Sequence, residues 1–323
     1  MVQRRQLLMT ALAATAGAAS GLARANAWPT RPIRIIVPNV PGGGIDILAR
    51  MMEVDLQKAW GQPVIIEYKA GAGTVVGTDF VAKSAPDGYT LGMVVTSHVI
   101  NPSLRPGMPF NTVKDLTGVT LTARSGILLS ASPNAPYSNL KELIAYAKAN
   151  PGKLVYATPG AGSAMHLGAE LLKQQTGIHM LHIPYRGSGG AYPDVSSGRV
   201  DLLVDPLFAS MPHVKGGRLK PIAVLGATRD ATEPGIPAVG EVLPGFDVVS
   251  INGIVVPSAT PRELVNRIRG DFAKVLATED MKSRLRTLGL EPMGSTPEEA
   301  NRYFENEIKR WDAVVKRGNI KLD

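Results

Sequence analysis

Ile33-Arg34-Ile35-Ile36-Val37-Pro38-Asn39-Val40-Pro41-Gly42-Gly43-Gly44-Ile45-Asp46-Ile47-Leu48-Ala49-Arg50 is the stretch that decides the fold class. Residues 33–37 read as a buried strand. Three glycines after Pro41 make a turn whose main chain can be approached closely. Ile47, Leu48, Met51, Met52 and Leu56 then lie on one side of a helix running from about residue 45 to Trp60. A strand passing through a glycine turn into a helix is the unit of a mainly parallel sheet covered by helices.

The same arrangement recurs along the chain. Residues 64–68 read as a strand, Gly71-Ala72-Gly73 as a turn before a helix to about 84, and 91–95 as a third strand. After the Pro-rich stretch 101–110, Ser138 is expected to cap a helix with Leu140, Leu143, Ile144 and Ala147 on one face. A strand over 153–156, the turn Thr158-Pro159-Gly160-Ala161-Gly162-Ser163 and a helix to about 176 follow. Further short segments cover 180–183, 189–197, 200–204, 208–214 and 221–225, without a clear residue-level repeat between the halves. Thr260-Pro261-Arg262-Glu263 and Thr296-Pro297-Glu298-Glu299 each offer an N-cap, a first-turn Pro and a Glu three residues on. Ala300, Phe304, Ile308, Trp311 and Val315 form the apolar stripe of the last helix.

With 323 residues, 44% of them hydrophobic and 19% charged, the chain has material for a packed core, and two domains are expected. Arg4 and Arg5 precede the uncharged stretch 7–22, which ends near Ala25-Asn26-Ala27, so residues 1–27 read as an export signal of suspected twin-arginine type, cleaved after Ala27. A spanning helix would need about 20 predominantly apolar residues. The formal charge of +8 falls to +5 when Arg4, Arg5 and Arg24 leave with that signal, and the Lys and Arg of the last helix read as solvated residues. No nucleic-acid face is expected. Cysteine is absent, which excludes disulfides, thiolate metal sites, a Cys nucleophile and a lipid-modified Cys. An exported, periplasmic protein without a lipid anchor is the expectation.

Glycine turns invite cofactor readings that the spacing does not support. Gly71-Ala72-Gly73-Thr74-Val75-Val76-Gly77 is one residue too long for the dinucleotide fingerprint, and no Gly-Lys-Ser/Thr follows any turn. What the turns at 41–46, 70–77 and 158–163 share is free backbone N–H groups at a helix N-terminus, where an anion is favoured. A small carboxylate held between turns of two domains fits them, with hinge closure burying the ligand. Ser163 and His166 stand one helical turn apart without a nucleophile elbow, so a triad with Asp205 is not expected, nor is an enzyme. His179 and His182 should point to opposite faces of a strand, and no metal or cofactor is expected.

Over 28–323 the chain resembles the Bug/TctC family, the extracytoplasmic solute receptors of tripartite tricarboxylate transporters. The resemblance is carried by Trp28-Pro29 with Pro32-Ile33-Arg34, by the proline-glycine turn and its helix, and by Gly71-Ala72-Gly73 leading to Ala85-Pro86-Asp87-Gly88-Tyr89-Thr90-Leu91. Ile100-Asn101-Pro102-Ser103-Leu104, Gly160-Ala161-Gly162-Ser163 with His166-Leu167, and Pro184-Tyr185-Arg186-Gly187 add to it. It implies a two-domain α/β fold of the type 2 periplasmic-binding-protein kind with a hinge. Domain 1 would cover 28–127 and 251–323, and domain 2 128–250, with the C-terminal helices returning to domain 1. It implies a carboxylate ligand (a di- or tricarboxylate, acidic amino acid or aromatic acid) met by Val40, Gly42, Gly43 and Asp46, by Thr96, Ser97 and His98, and by Thr158, Gly160, Ser163 and His166. Asp205 matches a family acid near the cleft. Membrane permease subunits are the implied partner of a monomeric receptor; a receptor signalling to a sensor kinase is the alternative.

Departures from the family pattern fall near the cleft. Asn39-Val40 stands where Phe-Pro or Phe-Ala is common, Ala70 replaces a proline, Thr74 a glycine, and His98 a small residue. The resemblance therefore leaves the carboxylate's identity open. Asp46 also reads as a charge at a helix start, Ser163 as an N-cap, and His166 as a packing residue.

Overall fold

A computed structural model describes residues 28–42, 44–185 and 187–322, so the expected export segment 1–27 and the turn residue Gly43 lie outside the described residues. The chain opens with β1 (Ile33–Val37), α1 (Gly44–Trp60), β2 (Val64–Tyr68), α2 (Val75–Ala82) and β3 (Thr90–Val95), and β1 pairs in parallel with both β2 and β3. Ile33, Ile35 and Val37 pack with Leu48, Met52 and Leu56 of α1, while Ile36 faces Val75 and Val81 on the other side of the sheet. Two-sided burial explains why β1 is a continuous apolar run, and each such side chain contributes about 2 kcal/mol. Ile47, expected on the packed side of α1, is instead exposed.

The chain continues through α3 (Ser97–Leu104) and β4 (Leu116–Ser125), and after Gly126 alone it enters β5 (Ile127–Ala131) of a second sheet. That sheet is completed by α4 (Leu140–Ala149), β6 (Leu154–Thr158), α5 (Ala164–Thr176), β7 (Met180–Pro184), α6 (Ala191–Ser196), β8 (Leu202–Pro206), α7 (Leu207–Lys215) and β9 (Lys220–Val224). β10 (Ser250–Pro257) returns to the first sheet, followed by α8 (Arg262–Ala277), α9 (Glu279–Thr287), β11 (Leu290–Pro292) and α10 (Pro297–Gly318). The strand orders are β11-β4-β10-β3-β1-β2 and β7-β6-β8-β5-β9. Both sheets hold three parallel strands and then an antiparallel strand, followed by two more strands in the first sheet and one in the second. In each case the antiparallel strand is the one the chain brings in from the other sheet. This is a two-domain α/β periplasmic-binding-protein fold.

The two crossings run side by side. Ser125 pairs with Ser250, Val248 N–H donates to Leu225 O at 2.7 Å, and Leu225 N–H donates to Ile127 O at 2.8 Å. A third link is α10, which packs on α3 and on α5, where Gln174 Nε2 donates to Val314 O at 2.9 Å. Its start carries the expected capping box between Thr296 and Glu299. The box expected at Thr260 does not form: Pro261 occupies the cap position, and Glu263 falls one place too early to reach back. The Thr260 hydroxyl is left buried without a hydrogen-bond partner. Asn139, not Ser138, caps α4 by accepting from Glu142 N–H. Among the described residues no helix is long and apolar enough to cross a membrane.

Candidate functional site

A cavity of about 440 Å³ lies between the two sheets. The first residues of α1 (Gly44, Ile45), α3 (Ser97) and α5 (Ala164, Met165) line it, with Gly73-Thr74 before α2 and Pro206 and Phe208 around the start of α7. The first-turn N–H groups of such helices have no intrahelical acceptor and sit at the positive end of the dipole. None of the described lining residues carries a charged side chain. Phe208, Leu290, Met165, Ile45 and Val95 supply apolar walls, and Asn39, Ser125, Ser188, Ser250 and Asn252 neutral polar groups. Among the described residues no group of His, Asp or Glu is arranged to hold a metal ion.

On the first wall, Val40 is 66% exposed and does not line the cavity. Asp46 is buried and accepts from Tyr68 OH at 2.6 Å, Gly42 N–H at 2.7 Å and Arg50 Nε at 2.9 Å. Burial pushes its pKa up, but the Tyr68 hydroxyl, the Gly42 amide and Arg50 outweigh that and hold it below the ordinary value. Asp46 and the Gly42 amide, both expected at the ligand, are thus committed to each other, and they shape the turn that presents Gly44 and Ile45. Thr96 and Ser97 line the cavity; Thr96 Oγ1 also accepts from Ile251 N–H at 2.9 Å, tying β3 to β10. His98, expected beside them, points into the core. Its ring meets Phe304 edge-on at 5.0 Å, both nitrogens lack partners, and burial pushes its pKa down to about 4.

On the second wall, Gly160 and Ser163 line the cavity, whereas Thr158 and His166 lie behind it. Ser163 Oγ donates to Gly160 O at 2.8 Å and accepts from His166 N–H at 3.2 Å. Gly162 N–H donates to His166 Nδ1 at 3.2 Å, so the His166 side chain braces the turn from inside. Thr158 Oγ1 meets His182 Nε2 at 2.7 Å, and the His182 ring stacks between Tyr156 and His166, while His179 is exposed. Burial, with the neighbouring His166 and Lys173, pushes His182 down to about 3. Asp205 is fully buried under the adjoining loop and accepts from Ser188 Oγ, from Tyr192 OH at 2.6 Å and from Ser210 Oγ at 3.3 Å. Burial raises it to about 6 against the pull of those hydroxyls. Asp205 therefore positions Ser188, which does line the cavity.

Sequence reasoning placed Gly44 in the 41–46 turn and Gly187 in the Pro184-Tyr185-Arg186-Gly187 motif without naming either as a ligand contact, and it did not single out Ala164, Met165, Ser188, Phe208 or the β10 residues Ser250 and Asn252. The first-turn position of Gly44, Ala164 and Met165 was a usable signal. The approach of Phe208 was not, since it comes from the other sheet.

The family model described as tripartite tricarboxylate transporter family receptor, TctC, matches residues 48–320. Protein BugT of Bordetella pertussis is 34% identical over 312 residues, covering 96% of this chain and 95% of its own. Among solved structures, R. palustris Rpa4515 with adipate superposes with a TM-score of 0.83 at 34% identity, over 91% of this chain and 99% of that one. MatC from Rhodopseudomonas palustris with bound malate gives 0.78 at 30% identity, over 89% and 100%. The matched family is described as one of receptors. With its two-sheet fold, its cavity ringed by helix N-termini and a family match over most of its length, the chain belongs to the TctC family of periplasmic solute-binding receptors.

Proposed function

We propose that this protein is an exported, monomeric periplasmic receptor that closes two lobes, 28–127 with 251–323 and 128–250, around a small carboxylate and delivers it to the permease of a tripartite tricarboxylate transporter. The observation that carries this reading is the convergence of the α1 and α5 N-termini on one cavity whose described lining has no charged side chain. Backbone amides and helix dipoles favour an anion there, and closure strengthens their bonds by removing water. An ammonium group would find no carboxylate among the described lining residues, so a di- or tricarboxylate fits better than an acidic amino acid. Adipate and malate, held by the two R. palustris relatives, are the first ligands to try. The paired crossings at 125–127 and 248–250 would serve as the hinge.

A thermal-shift screen of ligand-free protein with succinate, malate, adipate, citrate, benzoate and L-aspartate tests the reading. Ligand at about 100 times its Kd stabilises by about 2.7 kcal/mol, a readable rise in Tm. A rise with at least one diacid is expected. No response to any carboxylate would overturn the assignment.

A further inference from the structure

Three described non-glycine residues have positive φ, and two of them, Ala72 (φ 46) and Thr74 (φ 83), lie in the turn before α2. For a β-branched residue that backbone is an outlier, whereas glycine would adopt it without strain. Strained positions survive where the surroundings over-determine them, and they cluster at ligand sites. Thr74 is buried, lines the cavity, and places Oγ1 2.9 Å from Ser97 Oγ, another buried lining group.

The hydrogen bonds behind this pair have a direction. Arg105 Nε can only donate, and does so to Asn101 Oδ1 at 3.1 Å; Gly73 O can only accept, and takes a bond from Asn101 Nδ2 at 2.8 Å. Together they orient the amide, so its remaining hydrogen faces Thr74 Oγ1 across a long 3.4 Å contact. Among the described residues, Ser97 Oγ is then the acceptor within reach of the Thr74 hydroxyl hydrogen. One hydrogen of the pair, that of Ser97 when Thr74 donates, is then left for the cavity that both residues line.

We propose that Arg105, Asn101, Thr74 and Ser97 form a donor relay in which the Thr74–Ser97 hydroxyl pair presents a hydrogen to an oxygen acceptor of the ligand, with Thr74 as the positioning residue that sets this specificity. The inference rests on the carboxylate reading above and deepens it. A guanidinium heads the relay, so each bond polarises the next toward an anion. An ammonium group at that end of a ligand would leave this hydrogen without an acceptor; if Ser97 donates to Thr74 instead, the hydrogen turned to the cavity is that of Thr74, which lines it too.

Calorimetric titration of the full chain with succinate, malate, adipate and 6-aminohexanoate, beside the Tm of each ligand-free variant, tests it. Thr74→Ser should bind the diacid that the wild type binds within about threefold, and Thr74→Val should bind it about tenfold more weakly. Thr74→Gly relieves the backbone, so it should keep or raise the Tm and yet lose about the same affinity. The preference for diacid over 6-aminohexanoate should shrink in the Val and Gly variants. A purely structural role would move Tm and affinity together. Unchanged affinity in both the Val and Gly variants overturns the relay while leaving the carboxylate reading intact. Wild-type protein that binds none of the three diacids, and no citrate or benzoate either, overturns that reading and the relay with it.

Discussion

Phe208, at the start of α7 on the second sheet, stands over Gly44 at the head of α1 on the first: a Cβ on Gly44 would lie 3.0 Å from Phe208 Cζ. Both residues line the cavity, so the ring is a roof laid across the amides that would hold an anion. Alanine at 44 suits a helix better than glycine by about 1 kcal/mol, yet it would hold the ring off. Gly44→Ala should therefore leave the ligand-free Tm unchanged or higher and weaken ligand binding about tenfold, about 1.4 kcal/mol. Combining it with Phe208→Leu should restore part of the loss, a coupling that a double-mutant titration measures.

Gly77 closes the Gly71-Ala72-Gly73 motif for a packing reason. A Cβ there would lie 2.7 Å from Lys69 O and 2.9 Å from Pro38 Cα, backbone atoms at the ends of β2 and β1 that cannot swing aside. Gly77→Ala should cost about 1–3 kcal/mol in chemical denaturation, the range for overpacking. Wild-type stability in this variant would refute the close approach.

Acid should destabilise the fold partly through His98. An unfolded histidine titrates near 6.5, while burial holds His98 near 4, so the folded state resists protonation. Its contribution is fully present above pH 6.5 and is lost as pH falls toward 4, up to about 3 kcal/mol. His182, depressed by burial to about 3, adds a loss of the same sign. Because neither His98 nitrogen has a partner, His98→Leu should keep neutral-pH stability and flatten the slope of unfolding free energy between pH 6.5 and 4. An unaltered slope would count against the buried, neutral imidazole.

Asp205 carries the opposite sign. Its ordinary value is 3.8 and burial raises it to about 6, so the folded state holds the proton more tightly than the unfolded one. That contribution is present below pH 3.8 and is lost as pH rises through about 6, roughly 3 kcal/mol at most. Asp205→Asn keeps one acceptor oxygen and turns the other into an NH2 donor, to which a facing hydroxyl can present its own oxygen, and it should be relatively more stable at pH 8 than at pH 5 when each is compared with wild type. Denaturation at the two pH values decides it.

Much of the scaffold was legible because its signals are local. Residues 33–37 and 64–68 appear as strands at those bounds, and the helices after the 41–44 and 158–163 turns begin within one residue of the turn's end or of its capping Ser163, while the one after Gly71-Ala72-Gly73 begins at Val75. β4, β5, β10 and the short helix α3 went unread. Ile127–Ala131 is a brief apolar run with no turn signal before it but Gly126, and periodicity does not distinguish such a strand from other buried segments.

By itself the sequence determined the class of structure: strand, glycine turn and helix repeated through two sheets, with amides free where helices begin. Those properties follow from residue-scale sterics and spacing. Tertiary structure decided which amides and side chains face one cavity. It turned His98 into the core against Phe304, committed Asp46 to Gly42, Arg50 and Tyr68, and placed Asp205 beneath Ser188. It also brought Phe208 over Gly44, 164 positions apart in the chain. Such contacts depend on how two sheets exchange strands and close on each other, a non-local outcome that no window of sequence contains.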